Sequence, residues 1–525
     1  MAPPVRFALA ALTLITAPAH VAAQHPLRPA AESKAAQLTV PPVPSFELPP
    51  GEPGVRTARE LRIVGRDWLG TEITVRGYIT WIYDCEREVT RPGETPEQVK
   101  KRIYDDQTLC ERPKFYFSDA KDTPPDRSIW VVDVPRPPTR VERDRLPKAT
   151  LAQWPAVPKF ALGDYVTITG TWALQSPHGD RNSDGLLVFK SMQPARPAPP
   201  PSPPARATTA RPVPAAPAAA PKVPPTPPPV RIDPVKRDLA IRQSNAGAMS
   251  LRRNDFDTAI REYGAAVAMW PEHDAAWYYL AYAYVRKQDY RAAVAAAANA
   301  PRLAPDVAMY RLMYGLSLYE AERQRAREAQ AAAQGQKPEE VVPDTRSQNH
   351  DAALAQLLLA VHLDGDVWRA HYYCGRIYRD RDDAGRAAAS FSEAVRRAPL
   401  MAAPYVALAD LYRRWDYFDQ AIEVSRLGAT TLTAPVERGD VLYMLALALE
   451  DKREHGAAIG AYTQALEARP DLADALVQRG RIYWSMKKPA AAKADLEAYL
   501  AHPAANGWGK ETAQRILLDL ASKKH

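Results

Sequence analysis

The arrangement closest to a metal site is Asp180-x-Asn182-x-Asp184-Gly185. Its spacing matches the first half of a twelve-residue calcium loop, whose twelfth position should be a bidentate Glu. That position is Ser191, so the competing reading is a hairpin turn in which Asn, Asp and Gly supply local hydrogen bonds and left-handed backbone. Cys85 and Cys110 flank a charged, irregular segment. In an oxidising compartment they would pair, adding about 3–4 kcal/mol in the loop-entropy account; otherwise they are two separate thiols. Cys374 stands three residues after His371, but two ligands do not make a site, and Cys374 reads as a small core residue. The ten His are scattered. No His-Glu-x-x-His, Gly-x-Ser-x-Gly, phosphate-loop, Gly-x-Gly-x-x-Gly or Cys-x-x-Cys spacing occurs. No catalytic residue or cofactor is therefore assigned, and a binding protein is favoured over an enzyme.

The elements that would position binding residues fall into two regions. In 57–192, the stretch 72–83 alternates, with Ile73, Val75, Ile79, Trp81 and Tyr83 on one face and Gly77 interrupting. Period two over that length predicts a half-buried strand, and the interior Gly a bulge or barrel bend. Short strands follow at 114–117 and 129–134, then a possible helix around 141–154. Residues 164–174 alternate again, broken by Gly170, and 186–192 gives a fifth strand. Five strands with a helix-sized gap between the third and fourth resemble the OB-fold, a small Greek-key barrel. The resemblance implies a face for oligonucleotides or oligosaccharides. Arg76, Tyr78, Tyr116 and Tyr165 point outward and are either stacking platforms or plain cross-strand pairs.

Residues 232–525 repeat with a 34-residue period. Trp277-x2-Leu280-Ala281-x2-Tyr284 is followed by Ala293, Ala297, Ala300 and Pro305. Similar sets carry Gly247, Phe256, Ala259 and Pro271, then Gly375, Tyr378, Phe391 and Pro399, then Ala446, Ala458, Tyr462 and Pro470. About seven such units over 240–506 resemble the tetratricopeptide repeat. Small residues let the two helices of a hairpin approach, large ones fill the gap, and Pro stops the second helix. One hairpin cannot bury its own face, so repeats must stack into a solenoid. The third unit is longer than 34 residues, with an insertion at 320–349, and 508–522 reads as a capping helix. The family resemblance implies that first helices line a concave groove for a protein or peptide partner. Its groove-facing positions fall on Tyr278, Tyr282, Arg369, Tyr372, Arg376, Arg379, Arg413, Tyr443, Arg481 and Trp484. Three Arg on one helix would form a positive stripe suited to carboxylates; the alternative is a solvated helix face.

Residues 1–23 pair a basic n-region at Arg6 with an apolar run too short to span a bilayer and small residues before Gln24. That is the pattern of an export signal, so a periplasmic protein is expected, with no transmembrane segment after cleavage. Residues 24–56 carry eight Pro and form an extended leader; 193–231 is a Pro/Ala-rich linker acting as a semi-rigid spacer. The net charge of +8 is concentrated there. Residues 57–192 hold 21 basic and 20 acidic residues, 232–525 hold 39 and 38, and the linker holds five basic and no acidic ones. Near-neutral folded regions offer little counterion-release drive, which argues against nucleic acid. The expected architecture is multidomain, an all-β five-stranded OB-like barrel followed by an all-α solenoid. Two functions fit it: a scaffold or assembly protein gripping a partner in its groove, or a binder of glycan or cell-wall polymer through the strand domain, with the repeats as a dimerisation or docking unit.

Overall fold

Strand β2 (Glu72–Ile82) alternates buried and half-buried side chains from Ile73 to Ile79, as its period-two pattern requires. It belongs to a computed structural model that describes residues 38–48, 52–91, 93–121, 123, 127–195, 223–226, 232–338, 341, 348–505 and 507–522. The export signal expected at 1–23, most of the linker at 193–231, and 342–347 of the insertion lie outside the described residues. The chain divides into two compact units. One contains Glu47–Thr208 and His455–His525; the other contains Ala19–Phe46 and Thr209–Glu454.

In the first unit, β1 (Val55–Arg56) and α1 (Ala58–Val64) precede β2. Helices α2 (Cys85–Val89) and α3 (Pro96–Asp105) lead to β3 (Phe115–Ser118) and β4 (Ile129–Val132). After α4 (Arg140–Arg145) and α5 (Lys148–Ala152) come β5 (Tyr165–Gln175) and β6 (Arg181–Pro194). The sheet is mixed and six-stranded, in the order β1-β2-β3-β4-β6-β5, and β5 also pairs with β2. Where five strands were expected, β1 adds a short parallel pairing to β2. The ladder β2-β3-β4-β6-β5 thus returns to β2. Val75, Ile79, Phe115, Phe117, Val131, Ile168, Trp172 and Leu187 fill its buried core. A Cβ on Gly77 would lie 2.5 Å from the Ser118 carbonyl oxygen, and one on Gly170 would lie 2.3 Å from that of Val188. Only glycine permits backbones that close.

Two side chains depart from the expected face, Trp81 and Tyr83, while Ile82 between them packs toward the core. Trp81 does not join Ile73, Val75 and Ile79 inside, because the β2–β3 register shifts between Ile79 and Trp81. A one-residue slip reverses the face of everything beyond it, so Trp81 pairs with Tyr116 and is only half-buried. Cys85, at the start of α2, is joined to Cys110 by a disulfide with a Cα–Cα distance of 5.4 Å.

Helices in the second unit form successive hairpins. The first two are α6 (Pro234–Arg252) with α7 (Phe256–Met269) and α8 (Asp274–Arg286) with α9 (Tyr290–Ala297). A short α10 (Ala300–Leu303) precedes α11 (Ala308–Gln334) and α12 (Asp351–Leu363). Then come α13 (Trp368–Asp380) with α14 (Ala384–Arg397), α15 (Ala402–Arg414) with α16 (Phe418–Thr431), and α17 (Pro435–Asp451). Helices α18 (His455–Ala468), α19 (Ala473–Ser485), α20 (Pro489–Ala501) and α21 (Gly507–Ser522) belong to the first unit. The 27-residue α11 carries the first part of the expected insertion and ends on Gly335, whose φ of +62° supplies a left-handed C-cap. Among the described residues, no helix is long and apolar enough to cross a membrane.

Candidate functional site

Groove-facing candidates converge on α8, α11 and α13. Tyr278 on α8 is 7% exposed, with its ring 5.0 Å from Tyr279 and 5.5 Å from Tyr310 on α11; burial raises its phenol pKa. The Tyr310 hydroxyl donates to Asp274 Oδ2 at 3.1 Å. Tyr282 is half-buried, and its oxygen accepts from Arg286 Nη1 at 3.0 Å. On α13, the Arg369 guanidinium lies 4.6 Å over the Trp368 ring and acts electrostatically on Tyr278. Tyr372 sits among Trp368, Tyr373 and Phe391 at 5.4–6.2 Å.

The other two arginines of α13 are engaged within the protein. Arg376 Nη1 reaches Glu320 Oε1 on α11 at 3.1 Å, and its guanidinium lies 4.8 Å from the Tyr319 ring and 5.2 Å from the Tyr373 ring. Arg379 donates to Asp380 Oδ1 at 3.1 Å, while the Tyr319 hydroxyl donates to Asp380 Oδ2 at 2.6 Å. The stripe of three free positive charges is thereby reduced to Arg369, with Glu320 and Asp380 compensating the rest. His350 packs its ring 4.7 Å from Tyr319. It is 1% exposed, and neither ring nitrogen has a hydrogen-bond partner among the described residues.

The remaining candidates hold internal positions. Arg413 Nε donates to Asp451 Oδ2 at 2.7 Å, and Tyr443 is 1% exposed, in the core rather than on a surface. Arg481 Nε donates to Gln478 Oε1 at 3.2 Å. Trp484 packs against the α19–α21 core and donates to Asp519 Oδ2 at 2.9 Å. His371 Nε2 lies 3.0 Å from the Gly365 carbonyl. Cys374 is buried, and burial pushes its thiol up to about 12.

A second candidate surface lies on β2, β3 and β4. Tyr116 is 5.1 Å from Trp81 and 6.3 Å from Trp130, and Lys114 Nζ sits 5.0 Å over Trp130 and 5.5 Å over Tyr83. The sequence hides Trp81 because the shift after Ile79 is invisible to alternation, whereas Trp130 and Lys114 join the face through the pairing of β3 with β4. The other strand residues are drawn elsewhere: Arg76 binds Glu52 Oε2 at 2.6 Å, and the Tyr78 ring packs tilted against Tyr165 at 4.6 Å. Asp180 lies 3.6 Å from Lys114 and accepts from Ser176 Oγ at 3.4 Å. Asn182 and Asp184 fall within the extended β6 rather than in a loop, and the Asp184 side chain lies outside the described residues. Among the described residues, no group of three or more His, Cys, Asp and Glu side chains is placed to hold a metal ion.

Residues 250–308, 346–402 and 443–507 match the tetratricopeptide repeat family. No curated protein matches the sequence. Among solved structures, a tetratricopeptide repeat protein from Parabacteroides merdae is similar at 12% identity and a TM-score of 0.38, over 53% of this chain and 99% of that one. Yeast Tom70 is similar at 16% identity and 0.36, over 55% of each chain. Pseudomonas aeruginosa pilF is similar at 16% identity and 0.34, over 45% of this chain and 94% of that one.

Proposed function

The helical hairpins of this chain belong to the tetratricopeptide repeat family, and from that premise we propose that it is an exported, periplasmic, non-enzymatic scaffold whose groove holds a protein or peptide partner. The observation carrying this reading is the electrostatic proximity of Tyr282 on α8 and Arg369 on α13 to Tyr278, which packs against Tyr310, with Tyr372 beside the Trp368 ring that Arg369 covers. Aromatic and Arg side chains supply large contact area and directional charge, and they dominate binding hot spots. Arg369, which forms no ion pair among the described residues, is the cation left for a partner carboxylate. Export is supported by the signal-like pattern at 1–23 and by the disulfide, which belongs to an oxidising compartment. The mature protein would begin near Gln24, and the linker at 193–231 would tether the strand domain.

A photo-cross-linking residue placed at 282 in cells should trap a partner identifiable by mass spectrometry. With that partner purified, the Tyr282→Ala/Arg369→Ala variant should bind at least ~10-fold more weakly. Equal affinity would remove the groove assignment.

The aromatic face Trp81–Tyr116–Trp130 favours a second reading, in which an OB-like barrel binds glycan or cell-wall polymer. The ladder that returns to β2 and the glycines at 77 and 170 support the barrel, and half-buried rings beside a lysine suit sugar stacking better than nucleic acid. Retention on purified peptidoglycan, lost in Trp130→Ala and kept in Arg369→Ala, would select this reading over the first.

A further inference from the structure

The fifth hairpin departs from a pattern that three others keep; the α19–α20 turn departs too, with Met486 and Lys488 around a left-handed Lys487 and no side-chain cap. Between first and second helices stands a residue with left-handed φ: Asn254 (57°), Gln288 (61°), Asp382 (58°) and, in the fifth hairpin, Asp416 (61°). In the first three cases the preceding residue is Arg253, Lys287 or Arg381, exposed to solvent. The following residue is Asp255, Asp289 or Asp383, whose carboxylate caps the second helix by accepting a backbone N–H at 3.0–3.1 Å. The fifth hairpin replaces base and acid with Trp415 and Tyr417, both half-buried. The second helix there has no side-chain cap, so it forgoes the stabilisation that a capping carboxylate gives the others.

What the aromatic pair touches is the N-terminal leader. The Phe46 ring lies 6.1 Å from Tyr412, nearly parallel at 17°, and edge-on to Trp415 at 5.1 Å and to Tyr417 at 5.4 Å, each at 87°. The Tyr417 hydroxyl donates to the Ser45 carbonyl. Val40 and Pro41 are buried as well. Pro41, Pro42 and Pro44 restrict the segment before it binds, so ordering it costs little entropy.

We propose that the turn of the fifth hairpin is a docking cradle for a proline-flanked phenylalanine, and that its occupant is this chain's own leader, residues 40–46. One stacked ring and two edge-on rings select the phenylalanine, and the Tyr417 hydroxyl reads the backbone beside it. The leader is thereby strapped to the array. The inference goes beyond the groove reading and stands without it.

The test uses the full chain and a fluorescently labelled peptide of residues 38–48. In the Phe46→Ala chain the cradle is vacant, and fluorescence anisotropy should show saturable binding. The wild-type chain should bind at least ~10-fold more weakly, because its tethered leader competes at high effective concentration. A peptide carrying Phe46→Ala should not bind. Adding Tyr417→Phe to the Phe46→Ala chain removes only the hydroxyl and should weaken binding several-fold. Phe46 lies outside every helix, so Phe46→Ala should leave the circular dichroism of the array unchanged. Failure of the peptide to bind the Phe46→Ala chain overturns the proposal, as does equal binding to both chains. A wild-type mass that grows with concentration while Phe46→Ala stays monomeric would make a second copy the occupant and overturn the intramolecular assignment.

Discussion

Glu320 and Arg376 are 56 residues apart in sequence and 3.1 Å apart in space, with side chains only 14% and 16% exposed. A half-buried guanidinium loses more when its counter-charge is removed than the pair contributes net, because the desolvation remains. Glu320→Gln should therefore cost about 1–3 kcal/mol by urea denaturation, less than for a fully buried pair. The double variant Glu320→Gln/Arg376→Met should recover part of that; a double variant whose loss is the sum of the two singles would show no coupling. His350 adds a pH dependence. Burial holds its pKa below the usual imidazole value, against the pull of Asp380 and Glu322 and with Arg381 and Arg323 reinforcing it. The unfolded chain takes up that proton as pH falls through about 6.5, whereas the folded chain does so only lower. Stability is thus unaffected well above pH 6.5 and declines as pH drops below it. His273 is depressed by burial in the same direction. His350→Phe should flatten part of the slope between pH 5 and 7 and leave the His273 share; an unchanged slope would exonerate His350.

At the scale of elements, the hairpins were legible because their signal is local. Small residues recur where helices meet: a Cβ on Gly375 would fall 2.6 Å from the Phe391 ring, and one on Gly247 would fall 2.7 Å from Tyr263. Gly375→Ala should accordingly cost about 1–3 kcal/mol as an overpacking change, seen as a lower midpoint in urea. A neutral result would mean that Phe391 can move aside. The left-handed turns were not legible, since Asn, Gln, Asp, Arg and Lys all occupy them and only the backbone reports the conformation. Asn254→Val should cost about 1–2 kcal/mol, because a β-branched residue tolerates that region poorly. The strands show the same division. Alternation located β2 and β5, but the shift after Ile79 is set by pairing with β3, so it moved Trp81 onto the face of Tyr116 unannounced. The candidate groove suffered likewise: repeat spacing marks helix positions, not the acids that neutralise them from α11 or within α13. Arg376 and Arg379 therefore read as free in the sequence, which does not show Glu320 and Asp380 beside them.

At the scale of the molecule, charge and covalent structure are unevenly distributed. The linker at 193–231 holds five basic and no acidic residues, whereas 57–192 and 232–525 each carry a net charge of only one. The disulfide Cys85–Cys110 lies within the unit containing Glu47–Thr208 and His455–His525, and the only other cysteine, Cys374, is buried in the other unit with a thiol held protonated. Multidomain and repeat chains depart from single-transition unfolding, so calorimetry should resolve separate transitions. Closing a loop of sequence separation 25 restrains the unfolded chain by about 3–4 kcal/mol, and for a unit of this size that corresponds to a shift on the order of 10 °C. Reductant should lower one transition by that amount and leave the other in place, because reduction changes no bond in the unit that holds Cys374. A uniform fall of all transitions would mean that the two units unfold as one cooperative body. No fall at all would mean that the bridge constrains nothing the unfolded chain would otherwise explore.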